Sequence, residues 1–203
     1  MKDNQYYKNR AIESLSGKWA NGAIATLILF LISGFMSSII TLPMGEMEGT
    51  SVSVLWTLAC LPLSWGFAVW FLNLIRGGDY SYSRLFDGYS DFGRIFMAQF
   101  LVGLCTVIGS FLFIVPGVII GLMYSQVSFI LKDDEQISAV DAMKQSAAMM
   151  KGHKMELFML TLSFIGWAIL TCLTLGLGFF LLSPYWQTTM AHYYEDLKRD
   201  GQG

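Results

Sequence analysis

Ile95-Phe-Met-Ala-Gln-Phe-Leu-Val-Gly-Leu-Cys-Thr-Val-Ile-Gly-Ser-Phe-Leu-Phe-Ile-Val-Pro-Gly-Val-Ile-Ile-Gly-Leu-Met-Tyr-Ser-Gln-Val-Ser-Phe-Ile-Leu131 runs for 37 residues without a charged side chain. As one straight helix it would be about 55 Å long at 1.5 Å per residue, far beyond the roughly 30 Å hydrocarbon core of a bilayer. Pro116, followed by Gly117, stands inside the run. Proline removes a backbone donor and clashes with the preceding turn, so the run divides there into two antiparallel limbs, 95–115 and 117–131. Residues Leu157 to Tyr193 repeat the pattern over another 37 residues, with a Thr174-Leu-Gly-Leu-Gly178 break and Pro184 further on. That run divides into 157–173 and 175–193.

Two further runs, Asn21 to Leu42 and Val52 to Ile75, are each long enough to cross a bilayer, and the loop between them carries Glu46 and Glu48 but no Lys or Arg. The expected fold is therefore an all-α, polytopic membrane protein of about six helices, arranged as three hairpins in a single membrane domain over 1–203. Composition agrees: 54% of residues are hydrophobic and 14% charged, too little charge for a water-facing surface. Nucleic acid is not an expected partner. Cys60, Cys105 and Cys172 each sit in an apolar run, far apart, so neither a disulfide framework nor a zinc site is implied. The first apolar run exceeds twenty residues and lacks a small-x-small cleavage site, so it reads as a retained helix and not as a signal peptide.

The 13 basic residues fall in four groups. These are Lys2, Lys8, Arg10 and Lys18; Arg76, Arg84 and Arg94; Lys132, Lys144, Lys151 and Lys154; and Lys198 and Arg199. Cytoplasmic loops carry an excess of Lys and Arg, and six crossings put all four groups, with both termini, on that side. A re-entrant hairpin at 117–131, which is short for a span, would preserve the same sidedness.

Each hairpin follows a polar segment with helical periodicity: 5–18, 80–94 and 136–154. In the second, Tyr82, Leu85, Phe86 and Tyr89 share one face; Ser138 with Asp141 three residues on is a start signal for the third. These segments read as interfacial amphipathic helices, with Gly17, Gly93 and Gly152 at their ends and Lys18, Arg94, Lys151 and Lys154 placed to meet anionic lipid. The alternative is ordinary loops whose charge only sets topology. A disordered tail is expected over 197–203.

Chemistry is sparse. No phosphate-binding loop or nucleophile elbow is present, and no Asp, Glu, Lys or Arg lies at mid-membrane depth; His192 and Glu195, three apart on one helix face, have a spacing that can bind a metal, but there is no second such pair and no H-E-x-x-H. No catalytic residue, metal or cofactor is assigned, and the chain is not expected to be an enzyme. Catalysis would need His153, His192 and Glu195 to form one buried cluster. Gln126 and Gln187, with Tyr124 and Tyr185 two residues before them, mark either hydrogen bonding between helices or a polar pocket. Gly117-Val-Ile-Ile-Gly121 is a G-x-x-x-G for close helix packing, within the chain or in a homodimer. Membrane lipids and a protein partner are the expected ligands; transport of an uncharged or lipidic solute is the alternative function.

Several blocks, Val115-Pro-Gly-Val-Ile-Ile120, Phe129-Ile-Leu-Lys-Asp-Asp134, Met149-Met-Lys-Gly-His-Lys154, Leu162-Ser-Phe-Ile-Gly-Trp167, Leu173-Thr-Leu-Gly-Leu-Gly178 and Pro184-Tyr-Trp-Gln-Thr-Thr-Met-Ala191, together resemble a known family. It is the bacterial integral membrane proteins grouped as domain of unknown function 975. The layout is similar, more weakly and without shared motifs, to the membrane domain attached to some glycerophosphodiester phosphodiesterases. The resemblance implies a bacterial inner-membrane protein and carries over no catalytic residue.

Overall fold

The computed structural model describes residues 3–200, and among them every regular element is helical. A first helix, α1 (Asn4–Leu15), stops at Gly17, whose φ of 73° only glycine adopts cheaply. The first hairpin rises through α2 (Trp19–Phe30), a single π turn (Leu31–Phe35) and α3 (Met36–Thr41), and returns through α4 (Glu46–Ala59). Trp56 of α4 donates its indole N–H to the Ile32 carbonyl in the π turn at 3.0 Å. α5 (Leu61–Arg76) continues that limb, with Pro62 in its first turn, where the missing N–H is harmless, and a left-handed Gly77 as its stop.

The second hairpin begins with a 3-10 segment, Tyr82–Tyr89, followed by α6 (Phe92–Leu112), α7 (Ile114–Met123) and α8 (Val127–Asp133). The long apolar run does fold back, but at Phe113, which is extended (φ −162°, ψ 150°). Pro116 then falls in the first turn of α7, where no helical hydrogen bond is missing, so the break precedes the proline. Val115–Asp133 is a stretch of 19 residues, about 28 Å at 1.5 Å each, in which a turn at 124–126 joins α7 to α8, so the limb expected over 117–131 gains two residues at each end. The third unit comprises α9 (Ala139–Met149), α10 (Lys154–Leu162), α11 (Ile165–Leu173) and α12 (Phe179–Asp200). Its reversal uses left-handed Leu175 and Gly176, φ 53° and 88°.

Five helical stretches among the described residues are long and apolar enough to cross a membrane: Trp19–Thr41, Met47–Arg76, Phe92–Phe111, Val115–Asp133 and Lys154–Leu173. The segment expected to be a sixth, 175–193, is not among them. It is the first part of α12, whose apolar start (Phe179-Phe-Leu-Leu182) gives way to a buried polar stretch ending in Lys198 and Arg199. Residues 197–200 are helical, with Leu197 buried, so the expected tail is corrected there; 201–203 lie outside the described residues.

The amphipathic segments also differ in detail. The middle one is a tight 3-10 coil, because Gly66 and Gly88 let it press onto α5: a Cβ on Gly66 would strike the Leu85 carbonyl, and one on Gly88 the Pro62 carbonyl. Gly93 is no cap but lies in the first turn of α6. Ser138 does cap α9: the Asp141 N–H donates to Ser138 Oγ at 3.1 Å.

Burial is uneven. Two-thirds (67%) of the apolar window in Met47–Arg76 is buried, but only 11% of that in Trp19–Thr41 and 17% in Phe92–Phe111 and Lys154–Leu173. The core of Trp70, Phe71, Leu15, Leu131, Tyr193 and Tyr194 gathers at the end that carries α1, α9 and the C-terminal half of α12, while the hairpin tips expose Phe111, Leu173 and Leu175. Such apolar surfaces suit lipid.

Within the second hairpin, a Cβ on Gly117 would collide with Ser110, whereas one on Gly121 would meet Thr106 Cγ2 at an ordinary 3.9 Å. Gly117→Leu is therefore expected to destabilise the protein in detergent by about 2 kcal/mol through overpacking, and Gly121→Ala to leave the melting midpoint nearly unchanged. Equal melting of both variants and the parent protein would contradict this α6–α7 packing.

Candidate functional site

Arg76 closes the second apolar limb, Asp133 lies two residues beyond the run that ends at Leu131, and Glu195 and Lys198 share one face of α12. Helix packing brings these ends together. The Arg76 guanidinium donates to both Asp133 oxygens (2.6 and 3.0 Å) and to Glu195 (2.6 Å). Lys198 Nζ and the Tyr194 hydroxyl donate to Asp133 Oδ2 at 2.5 and 2.8 Å. The hydrogen bonds from Arg76, Lys198 and Tyr194 offset the cost of partly burying this carboxylate. The Tyr194 ring stacks on Phe129, 5.1 Å between centroids, so the network rests on a packed aromatic floor.

Three more residues, Arg10, Arg94 and Tyr193, tie further segments together at this end. Arg10 of α1 reaches Asp196 at 3.4 Å. Arg94 of α6 donates to the carbonyls of Leu131, Asp134 and Ile137, the exposed C-terminal end of α8 and its loop. The Tyr193 hydroxyl donates to the His153 carbonyl at 3.2 Å. Arg10, Arg76, Arg94 and Lys198, from three of the four basic groups, are thereby linked to one another's segments at one end of the molecule.

Beside this network Ser14 Oγ lies 2.8 Å from His192 Nε2. His192 is buried, and no carboxylate is hydrogen-bonded to its ring among the described residues. The three residues that catalysis would need are dispersed: His153 faces Glu156 at 3.1 Å, Glu195 holds Arg76, and His192 faces Ser14. Ser14 had no signal in the sequence, being one hydroxyl in a polar helix 178 residues from its partner.

The other expected site residues separate as well. Gln126 is fully buried at the start of α8; its backbone N–H donates to Ser146 Oγ of α9 at 3.3 Å and its amide to Ser125 Oγ at 2.9 Å. Gln187 is only half-buried. Tyr124 ends α7, while Tyr185 is buried against Phe164 and Trp167. Of the four cations expected at lipid, Lys151 is exposed, Lys154 half-exposed at the start of α10, and Lys18 lies 5.0 Å over the Tyr80 ring. Arg94 is instead occupied inside the protein. Gly117 and Gly121 face α6 of the same chain.

Asp133→Ala is expected to lower stability by about 2 kcal/mol, since Arg76 and Lys198 would lose their shared carboxylate at a partly buried site. Lys144→Ala, which removes a solvent-exposed pair with Asp141, should leave the melting midpoint unchanged. Thermal melts of the parent, Asp133→Ala and Lys144→Ala proteins in detergent check this: only Asp133→Ala should melt lower, and equal midpoints for all three would contradict the network.

No curated protein and no solved structure matches the chain. A family model does: residues 114–200, from the turn into α7 to the end of α12, match the family described as protein of unknown function (DUF975), in agreement with the resemblance carried by the motifs in that stretch.

Proposed function

We propose that this is a non-enzymatic, multi-pass protein of a bacterial cytoplasmic membrane, with both termini and the ion-paired end in the cytoplasm, which binds lipid through that end. The observation that carries the reading is the contrast between the two ends. One is a packed, charge-linked cap built from α1, α9 and the C-terminal half of α12. From it extend apolar helices whose outer surfaces have no protein cover, with Phe111 92% and Leu175 96% exposed. A surface of that kind suits hydrocarbon, which supports a position of the cap at headgroup level. The excess of Lys and Arg in the loops at this end supports the cytoplasmic side, where anionic lipid attracts them.

A permease for an uncharged or lipidic solute has less support, because Gln126 is packed into the α8–α9 contact and does not line open space. The test is native mass spectrometry of the protein released from nanodiscs of mixed bacterial phospholipids. Lipid adducts that survive removal of the bulk bilayer are expected. A protein that emerges free of lipid would contradict a lipid-binding role.

A further inference from the structure

Between the 3-10 segment and the α8–α9 loop lies an open cleft of about 590 Å³. Its floor is apolar: Ile95 and Leu131 come from the two ends of the 37-residue run and Trp65 from within α5, and the Trp65 N–H is already donated to the Ser128 carbonyl at 2.9 Å. Its rim is charged and balanced. Arg84, Arg94 and Lys132 face Asp87, Asp91 and Glu135.

The internal pairing of these six is incomplete. Arg94 is held by Asp91 and by three carbonyls, and Arg84 by Asp79 and Asp87 at 2.9 and 3.4 Å. Lys132 and Glu135, three residues apart, have neither an ion pair nor a side-chain hydrogen bond among the described residues. One unpaired cation and one unpaired anion thus border the same cleft, above an apolar floor.

We propose that this cleft binds a phosphate–ammonium zwitterion, the phosphoethanolamine headgroup of a membrane phospholipid. The phosphate is held by Lys132, with Arg84 beside it, and the primary ammonium by Glu135, with Asp87 beside it. A lone anion would meet three carboxylates, and a lone cation three basic groups; only a ligand carrying both charges leaves the rim balanced. A quaternary ammonium is less suited, since it recognises aromatic cages, whereas a primary ammonium has N–H donors for the two carboxylates. The lipid source follows from the position. From the rim of the cleft the exposed rings of Phe86, Tyr89 and Phe92 continue as a stacked series, 6.4 Å apart, onto Phe96 of α6 at 5.2 Å, a surface on which an acyl chain can lie.

This rests on the reading that the cap lies at headgroup level, and the experiment separates the two. Nanodiscs containing equal amounts of phosphatidylethanolamine and phosphatidylglycerol are used to compare the parent protein with the Lys132→Ala/Glu135→Gln double variant, and native mass spectrometry counts the retained lipid of each class. The parent is expected to retain phosphatidylethanolamine about tenfold over phosphatidylglycerol, the factor that one charge-assisted hydrogen bond supplies, and the double variant to lose the preference. Lys144→Ala, remote from the cleft, should keep it. Lipid retained without headgroup preference, or a preference unchanged in the double variant, overturns this proposal alone; loss of all lipid from the parent overturns the lipid-binding function as well. Free phosphoethanolamine is added to the lipid-free protein as a second arm: no shift in melting is expected, and a shift abolished by the double variant, without phosphatidylethanolamine retention, would overturn the lipid as the source.

Discussion

Asp133 is a carboxylate at the margin of a packed bundle, where burial opposes its charge, and it is retained because Arg76, Lys198 and Tyr194 converge on it from two other helices. Everything else about the arrangement of the chain depends on that convergence. To bring Arg76 of α5, Asp133 of α8 and Glu195 with Lys198 of α12 together, three limbs of three different hairpins must end at the same level. Hairpins whose outer halves make few contacts with each other are thus fixed at one end, much as ribs are fixed at a hub. Geometry supplies specificity here more than energy does: a bidentate guanidinium–carboxylate pair tolerates little displacement, so it selects one register of α5 against α8.

Around the hub, small residues allow what the charges require. Gly22 packs against Pro184 where α2 meets α12, and Gly66 and Gly88 bring the 3-10 segment onto α5. Pro184 sits inside α12 but within its apolar first half, where its ring lies against Gly22. Arg94 closes the remaining gap by satisfying carbonyls left open where α8 ends. The cap is therefore continuous from the N-terminal helix to the last turn of α12, and the apolar hairpins are its extensions into the bilayer.

How much of this was legible in the sequence varied with the range of the interaction. Uncharged runs of 37 residues cannot cross a bilayer once, so the folding back of Ile95–Leu131 and the helical class of the fold followed from length and charge. The Ser138–Asp141 cap is local and was readable for the same reason. The position of the reversal, at Phe113 ahead of Pro116, was not, because proline is acceptable in a first helical turn and so marks a boundary only to within a few residues. Long-range pairs were hidden altogether. Ser14 and His192, or Arg94 and the α8 carbonyls, meet only after the helices pack, and a contact with anionic lipid is the natural reading of Arg94 as a basic residue beside a glycine at the end of an amphipathic segment. The C-terminal Leu197 looked like the start of a tail because its cover comes from distant elements of the core.

The central claim is that all basic segments lie on one side of the membrane and the hairpin tips on the other. Single cysteines at Gly49 and Leu175 on the tips, and at Gly78 and Lys151 on the cap, in a background with Cys60, Cys105 and Cys172 replaced by serine, measure this directly through labelling of intact and permeabilised cells with a membrane-impermeant thiol reagent. Labelling of the two tip positions in intact cells, with the two cap positions labelled only after permeabilisation, is the predicted result. The same accessibility at Gly49 and Gly78 would contradict the account.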